Sequence, residues 1–258
     1  MVLCHGGPGL WDYLAPVASM VEDLCTVHRY DQRGGGRSPA GGSFTVDGFV
    51  ADLDDIRRHF GYDRFIVGGH SWGASLALFY GLALPERVSA IVYLNGTGLG
   101  RAWKPWYDAR VDRLSPTDRA RFADLQSRPE LTADEELEQT FLHTLCDLGV
   151  RSRRAEVAEE MLDRRFRTAR DVNAEMNAAL KTLSEEELAT RCRTLDVPVL
   201  VVAGEEDPRP RFAVESLVTA LPRSELVVMP GVGHLPWLED PDGLRALLRQ
   251  FLANVADA

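Results

Sequence analysis

Gly69-His70-Ser71-Trp72-Gly73 sets a serine between two glycines, directly after the apolar run Phe65-Ile66-Val67 and directly before a helical pattern over residues 74–84. A G-x-S-x-G turn from strand to helix is so tight that its flanks must be small, and it lifts the serine hydroxyl above the sheet. The hydroxyl then stands at a helix N-terminus, where the helix dipole favours developing negative charge. Ser71 is therefore the candidate nucleophile. A serine hydroxyl attacks only when a neighbouring base takes its proton. Of the six histidines, His234 fits best, because Gly231-Val232-Gly233-His234-Leu235-Pro236 forms a loop after the last apolar strand. His5, His28 and His70 lie in or beside a strand or tight turn, and His59 and His143 read as helix-surface residues. The base needs an acid that fixes its tautomer. Glu205-Glu206-Asp207 follows the buried run Val199-Leu200-Val201-Val202-Ala203-Gly204. Asp207, set before Pro208, is the candidate acid, with Glu205 and Glu206 as rivals.

Acyl transfer also needs donors for the oxyanion of the tetrahedral intermediate. The backbone N–H of Trp72, next to the nucleophile, is one candidate. The glycine-rich turn His5-Gly6-Gly7-Pro8-Gly9 after the first strand supplies the other, with Gly7 first and Gly6 next. Asp31-Gln32-Arg33-Gly34-Gly35-Gly36-Arg37-Ser38 lacks the ending of a phosphate-binding loop and reads as a structural tie beneath the site. Together these residues point to hydrolysis of a small amide or ester through an acyl-enzyme. A non-catalytic ligand-binding protein on the same scaffold is the reading from another class.

The elements that position these residues are legible as apolar runs. Residues 2–4, 25–30, 65–67, 88–94, 199–202 and 225–229 show little alternation, as strands buried on both faces do. Helical patterns at 45–60, 71–84, 211–221 and 243–255 lie between them, so the fold class is α/β with a mostly parallel sheet of about six strands. Residues 99–195 contain no convincing strand. Ser115-Pro116-Thr117-Asp118 and Thr132-Ala133-Asp134-Glu135 look like helix starts within them. This segment is expected to form a helical cap inserted into a core made of residues 1–98 and 196–258. It leaves the core at a strand's C-terminal end, where open α/β sheets bind ligands.

Composition narrows the class further. Hydrophobic residues make up 45% and charged residues 26%, ordinary for a soluble globular chain. The net charge of −10 argues against nucleic acid as a partner, since phosphate binding needs clustered cations. The four cysteines, Cys4, Cys25, Cys146 and Cys192, have neither CxxC nor metal-ligand spacing, so no metal site is expected. No run is apolar enough for a membrane span and no signal peptide is evident, so the expectation is a cytoplasmic protein acting on a small molecule or short peptide, with no membrane partner.

His5-Gly6-Gly7-Pro8-Gly9, the Asp31–Ser38 run, Gly69-His70-Ser71-Trp72-Gly73, Gly204-Glu205-Glu206-Asp207-Pro208 and Gly233-His234-Leu235-Pro236-Trp237 together resemble the proline iminopeptidase group of α/β-hydrolases. The resemblance covers roughly two-thirds of the chain, on both sides of the insertion. It implies a serine peptidase mechanism without metal or organic cofactor, with Ser71, Asp207 and His234 as triad and Gly7 and Trp72 as oxyanion hole. It also implies a cap whose acids grip the free amino group of an N-terminal proline, so a prolyl aminopeptidase is the leading expectation, with a carboxylesterase, lactonase or amidase acting on a small metabolite as the alternative. Asp108 and Glu175 are the candidates for that grip, and Gly6, Trp103 and Trp106 for other substrate contacts. Two departures stand out. His70 occupies a position that is usually glycine, and the two strands that normally precede the His5–Gly9 turn are absent. With Met1 as the start, strand 25–30 is an edge, and an open parallel edge invites pairing with a second copy.

Overall fold

The computed structural model describes residues 1–149 and 153–256. Six parallel strands form one sheet: β1 (Val2–Cys4), β2 (His28–Arg29), β3 (Phe65–His70), β4 (Val88–Leu94), β5 (Val199–Gly204) and β6 (Ser224–Met229), in the order β2-β1-β3-β4-β5-β6. Alternate residues feed two cores. Ile91, Tyr93, Val199 and Val201 pack on one face, and Ala90, Val92, Leu94, Leu200 and Val202 on the other. Both faces are covered over the central strands, so β1, β4 and β5 are almost wholly apolar, whereas the edge strands β2 and β6 carry polar residues. The chain moves to one side of β1 for β2 and to the other for β3. The crevice beyond the C-terminal ends of β1 and β3 is therefore the switch point where such sheets bind ligands.

Twelve α-helices are described: α1 (Ala15–Ser19), α2 (Val46–His59), α3 (Trp72–Ala83), α4 (Lys104–Ala109), α5 (Pro116–Ser127), α6 (Ala133–Asp147), α7 (Arg154–Glu160), α8 (Arg170–Leu180), α9 (Glu185–Cys192), α10 (Phe212–Ala220), α11 (Pro236–Glu239) and α12 (Pro241–Ala256). α3 is buried all round from Trp72 to Gly81, as a helix without a polar face must be. α4 to α9 lie between β4 and β5, with no strand among their described residues. α5 and α6 carry a small core of their own, including Phe122, Leu125 and Leu142. Their starts follow the expected caps: Ser115 Oγ accepts the Asp118 N–H, and Thr132 with Glu135 forms a reciprocal capping box.

The second strand is shorter than the expected 25–30. The Cys25 N–H closes a turn onto the Val21 carbonyl, and Asp31 has already entered the next loop, where its carboxylate accepts the Asp12 and Arg37 N–H groups. Only His28 and Arg29 pair with β1. The Phe60 ring stacks 3.9 Å from that of His28, and Tyr62 Oη bonds it at 3.1 Å. β2 is the edge of the sheet, as expected, but it is only two residues long, so the open edge is short. No helix among the described residues is long and apolar enough to cross a membrane.

Candidate active site

Ser71 joins β3 to α3 with φ 56° and ψ −119°. A non-glycine residue held there carries strain on the order of 1–3 kcal/mol, which surrounding bonds must overcome. The Ser71 N–H donates to Leu94 O of β4 at 2.9 Å, and the N–H of Ala74 donates to Ser71 O at 3.1 Å. The flanking glycines are obligatory. A Cβ on Gly69 would stand 2.0 Å from the Gly73 carbonyl oxygen, and one on Gly73 would stand 2.0 Å from that of Cys4.

His234 lies on the loop after β6. Its Nδ1 is 2.6 Å from Asp207 Oδ2. With Nδ1–H donating to the carboxylate, Nε2 keeps its lone pair. Asp207, in the turn after β5, also accepts from Asn95 Nδ2 at 3.0 Å and from the Arg209 N–H at 2.8 Å. Burial alone would raise the Asp207 pKa. The His234 ring, the Arg209 guanidinium and these hydrogen bonds outweigh it and hold the pKa down at about 2. The rival Glu205 instead accepts the Gly231 N–H at 2.9 Å. No ring contact to His234 comes from Glu206 among the described residues.

Two supports went unrecognised in the sequence. Glu239 accepts the N–H groups of Gly149, Gly233 and Leu235, which fixes the loop on both sides of His234. Its burial outweighs those bonds and raises its pKa. The second support runs through His70, the residue that replaces the usual glycine. His70 Nε2 is 2.8 Å from the His234 carbonyl oxygen, and its Nδ1 is 2.7 Å from Tyr13 Oη. Tyr13 Oη accepts the Gly6 N–H at 2.7 Å. A carbonyl accepts only, so Nε2–H donates to it and Nδ1 accepts the Tyr13 proton. Burial pushes the His70 pKa well below its ordinary value, in keeping with a neutral ring. This relay ties the His5-Gly6-Gly7-Pro8-Gly9 turn to the His234 loop. It also occupies the Gly6 N–H, which removes Gly6 as an oxyanion donor.

Ser71, Trp72, Gly7 and His234 line one cavity of about 660 Å³, roofed by residues of the insertion. Among the described residues, no hydrogen bond joins the Ser71 hydroxyl to His234, and the Gly7 and Trp72 N–H groups have no acceptor in the protein. The cap residues divide. Trp103 lines the cavity, as do its helical neighbours Lys104 and Tyr107. Trp106 does not; it is exposed and packs against Phe212. Asp108 pairs with Lys104 on the exposed side of α4. Glu175 is exposed, because α8 buries Val172 and Met176 and turns Asn173 and Asn177 to the cavity. The one acid among the described lining residues is Asp147, and it is already matched. Arg209 Nη1 lies 3.1 Å from it, His143 Nδ1 3.6 Å and Arg110 Nε 3.9 Å. These partners overcome burial and hold its pKa well below the carboxylate range. His143, expected on a helix surface, keeps a side chain that is 41% exposed but turns it to the cavity, where partial desolvation lowers its pKa.

The sequence pattern of the alpha/beta hydrolase fold family matches residues 1–241. The chain belongs to that family. Within it, this α/β-hydrolase is 24% identical over 264 residues to the proline iminopeptidase of Clostridioides difficile (strain 630), covering 98% of this chain and 89% of that one. It is 28% identical over 264 residues to the putative carbamate hydrolase RutD of Shigella flexneri, covering 99% and 91%. A thermophilic esterase from Thermogutta terrifontis shares the fold of this α/β-hydrolase, with a TM-score of 0.70, 22% identity, and coverage of 98% and 89%.

Proposed function

We propose that the protein is a serine hydrolase that cleaves a small ester or amide through an acyl-enzyme on Ser71. The observation that carries this reading is the 2.6 Å bond from His234 Nδ1 to Asp207, which leaves Nε2 as a base beside the strained Ser71 turn in one cavity. As Ser71 Oγ bonds to the substrate carbonyl carbon, its proton passes to Nε2. The carbonyl electron pair moves onto oxygen, where the Gly7 and Trp72 N–H groups receive it. Collapse breaks the bond to the leaving group, which takes the proton from His234. Water then attacks the acyl carbon, gives its proton to His234 and releases the acid, and the proton returns to Ser71.

An N-terminal prolyl aminopeptidase is the second reading, favoured by the relatives of that name. A free amine would need an unmatched acid, and neither Asp108 nor Glu175 lines the cavity. We therefore place esters and amides without a free amine first. Initial rates on a prolyl arylamide and a short p-nitrophenyl ester, with Ser71→Ala as blank, decide between them. Ester turnover that vanishes in Ser71→Ala is expected. Strong prolyl-amide turnover restores the aminopeptidase, and equal rates for wild type and Ser71→Ala reject the mechanism.

A further inference from the structure

The chain carries 39 acidic and 29 basic residues, so an average surface should present more carboxylates than cations. The cavity reverses that balance. Lys104 and Lys181, the only lysines in the sequence, both line it, with Arg101, Arg170 and Arg209, against the single acid Asp147 among the described residues. Arg209 is matched by Asp147 and Asp207, and Lys104 by Asp108. Arg101, Arg170 and Lys181 have no carboxylate within ion-pair distance among the described residues. The contrast with the adjoining helices is direct: Arg121 and Arg128 are each neutralised by Asp124, Glu135 or Glu138.

Arg170 is held but not neutralised. Its guanidinium donates to Gln139 Oε1 at 3.1 Å and to the Arg128 carbonyl at 3.4 Å, both neutral acceptors. Its helix is docked on the turn that carries Gly7: the Ala169 N–H donates to Gly9 O at 2.8 Å, and Asn173 Nδ2 to Pro8 O at 3.1 Å. The helix that carries this oriented cation is therefore fixed to the turn that carries Gly7, and the cation lines the same cavity. Unmatched positive charge in a concave, partly desolvated site focuses the field on anions, and more so in a protein whose remaining charge is negative.

We infer that the substrate carries a carboxylate, drawn into the cavity by its unmatched cations and held there by Arg170, with Lys181 at the other end of the same helix adding to the attraction, while the ester or amide bond faces Ser71. This rests on the hydrolase reading above. The test compares mono-p-nitrophenyl adipate, with a free carboxylate, and p-nitrophenyl hexanoate, its neutral counterpart. Wild type should prefer the adipate ester about tenfold or more in kcat/KM, as one charge-assisted hydrogen bond provides. The preference should lie in KM and shrink as salt is added. Arg170→Gln and Lys181→Gln should each reduce the ratio, and the double variant should bring it to about one. Lys181 is exposed, so its replacement leaves the fold intact. A wild-type ratio at or below one, or a ratio unchanged in the double variant, overturns the inference while leaving the hydrolase standing. If neither ester turns over, the hydrolase reading fails by itself. Calorimetric titration of Ser71→Ala protein with hexanoate and hexanamide then decides. Binding of hexanoate alone, lost in the double variant, upholds the carboxylate site; equal binding, or none, removes it.

Discussion

At the scale of single residues, the site depends on neutral, buried groups whose proton positions are fixed by their neighbours. Tyr13 shows this best. It stands in a loop without periodicity, so nothing in its sequence surroundings marks it. Its hydroxyl nonetheless takes the Gly6 N–H and gives its own proton to His70. Tyr13→Phe leaves both without a partner, and a buried unmatched polar group costs about 1–3 kcal/mol. Urea unfolding should record a loss of about 2 kcal/mol. Ester kinetics should show kcat falling with KM nearly unchanged, because His70 loses the bond that keeps its proton on Nε2, facing the His234 carbonyl. An unchanged kcat would mean that His70 serves stability alone. Arg209 and Glu239 were also missed, although each lies near a recognised residue: Arg209 two positions after Asp207 and Glu239 five after His234. Their partners, Asp147 and the loop amides, are distant in sequence or belong to the backbone, so residue type and spacing give no sign of them.

At the scale of elements, strands and the serine turn were readable because local sterics decide them. β1 and β4 fall where their apolar runs predict, since strands buried on both faces leave little room for polar residues. The Gly69 and Gly73 positions are legible for the same reason: backbone passes where a side chain would sit. Gly73→Ala should therefore destabilise the protein by about 3 kcal/mol, at the upper end of steric insertions into a packed core, and abolish turnover. Thermal unfolding and an ester assay check this, and a stable, active variant would contradict the fit. The faces of the inserted helices were not readable. Which side of α4 or α8 meets the cavity depends on how the helix docks, and Asp108, Trp106 and Glu175 fall on the wrong sides.

At the scale of the whole molecule, acid sensitivity follows from the buried titratable groups. Burial lowers the pKa of His5 and His70. Asp207 is held at about 2, against an ordinary value of 3.8, and Asp147 is also depressed. In every case the unfolded chain binds the proton first, so each contribution is complete above the ordinary pKa and is lost as pH falls through the folded one. Unfolding free energy should decline in two stages. The first begins below the ordinary histidine value of 6.5 and the second below the aspartate value of 3.8. In Asp207→Asn the second stage should be shallower, by on the order of 2 kcal/mol in total. Urea titrations across this range read both, and stability constant from pH 6.5 down to the aspartate range would contradict the neutral histidines. The parallel sheet was legible, since apolar runs alternating with helices force it, whereas the strand order that sets the switch point between β1 and β3 is a matter of tertiary pairing and was not.

The most direct test of the account is fluorophosphonate labelling followed by peptide mass mapping, because the reagent bonds only to an activated serine. One adduct per chain at Ser71 is expected, absent in Ser71→Ala and formed far more slowly in His234→Ala. An adduct on another residue, or equal labelling of wild type and Ser71→Ala, would contradict the claim that Ser71 is the nucleophile.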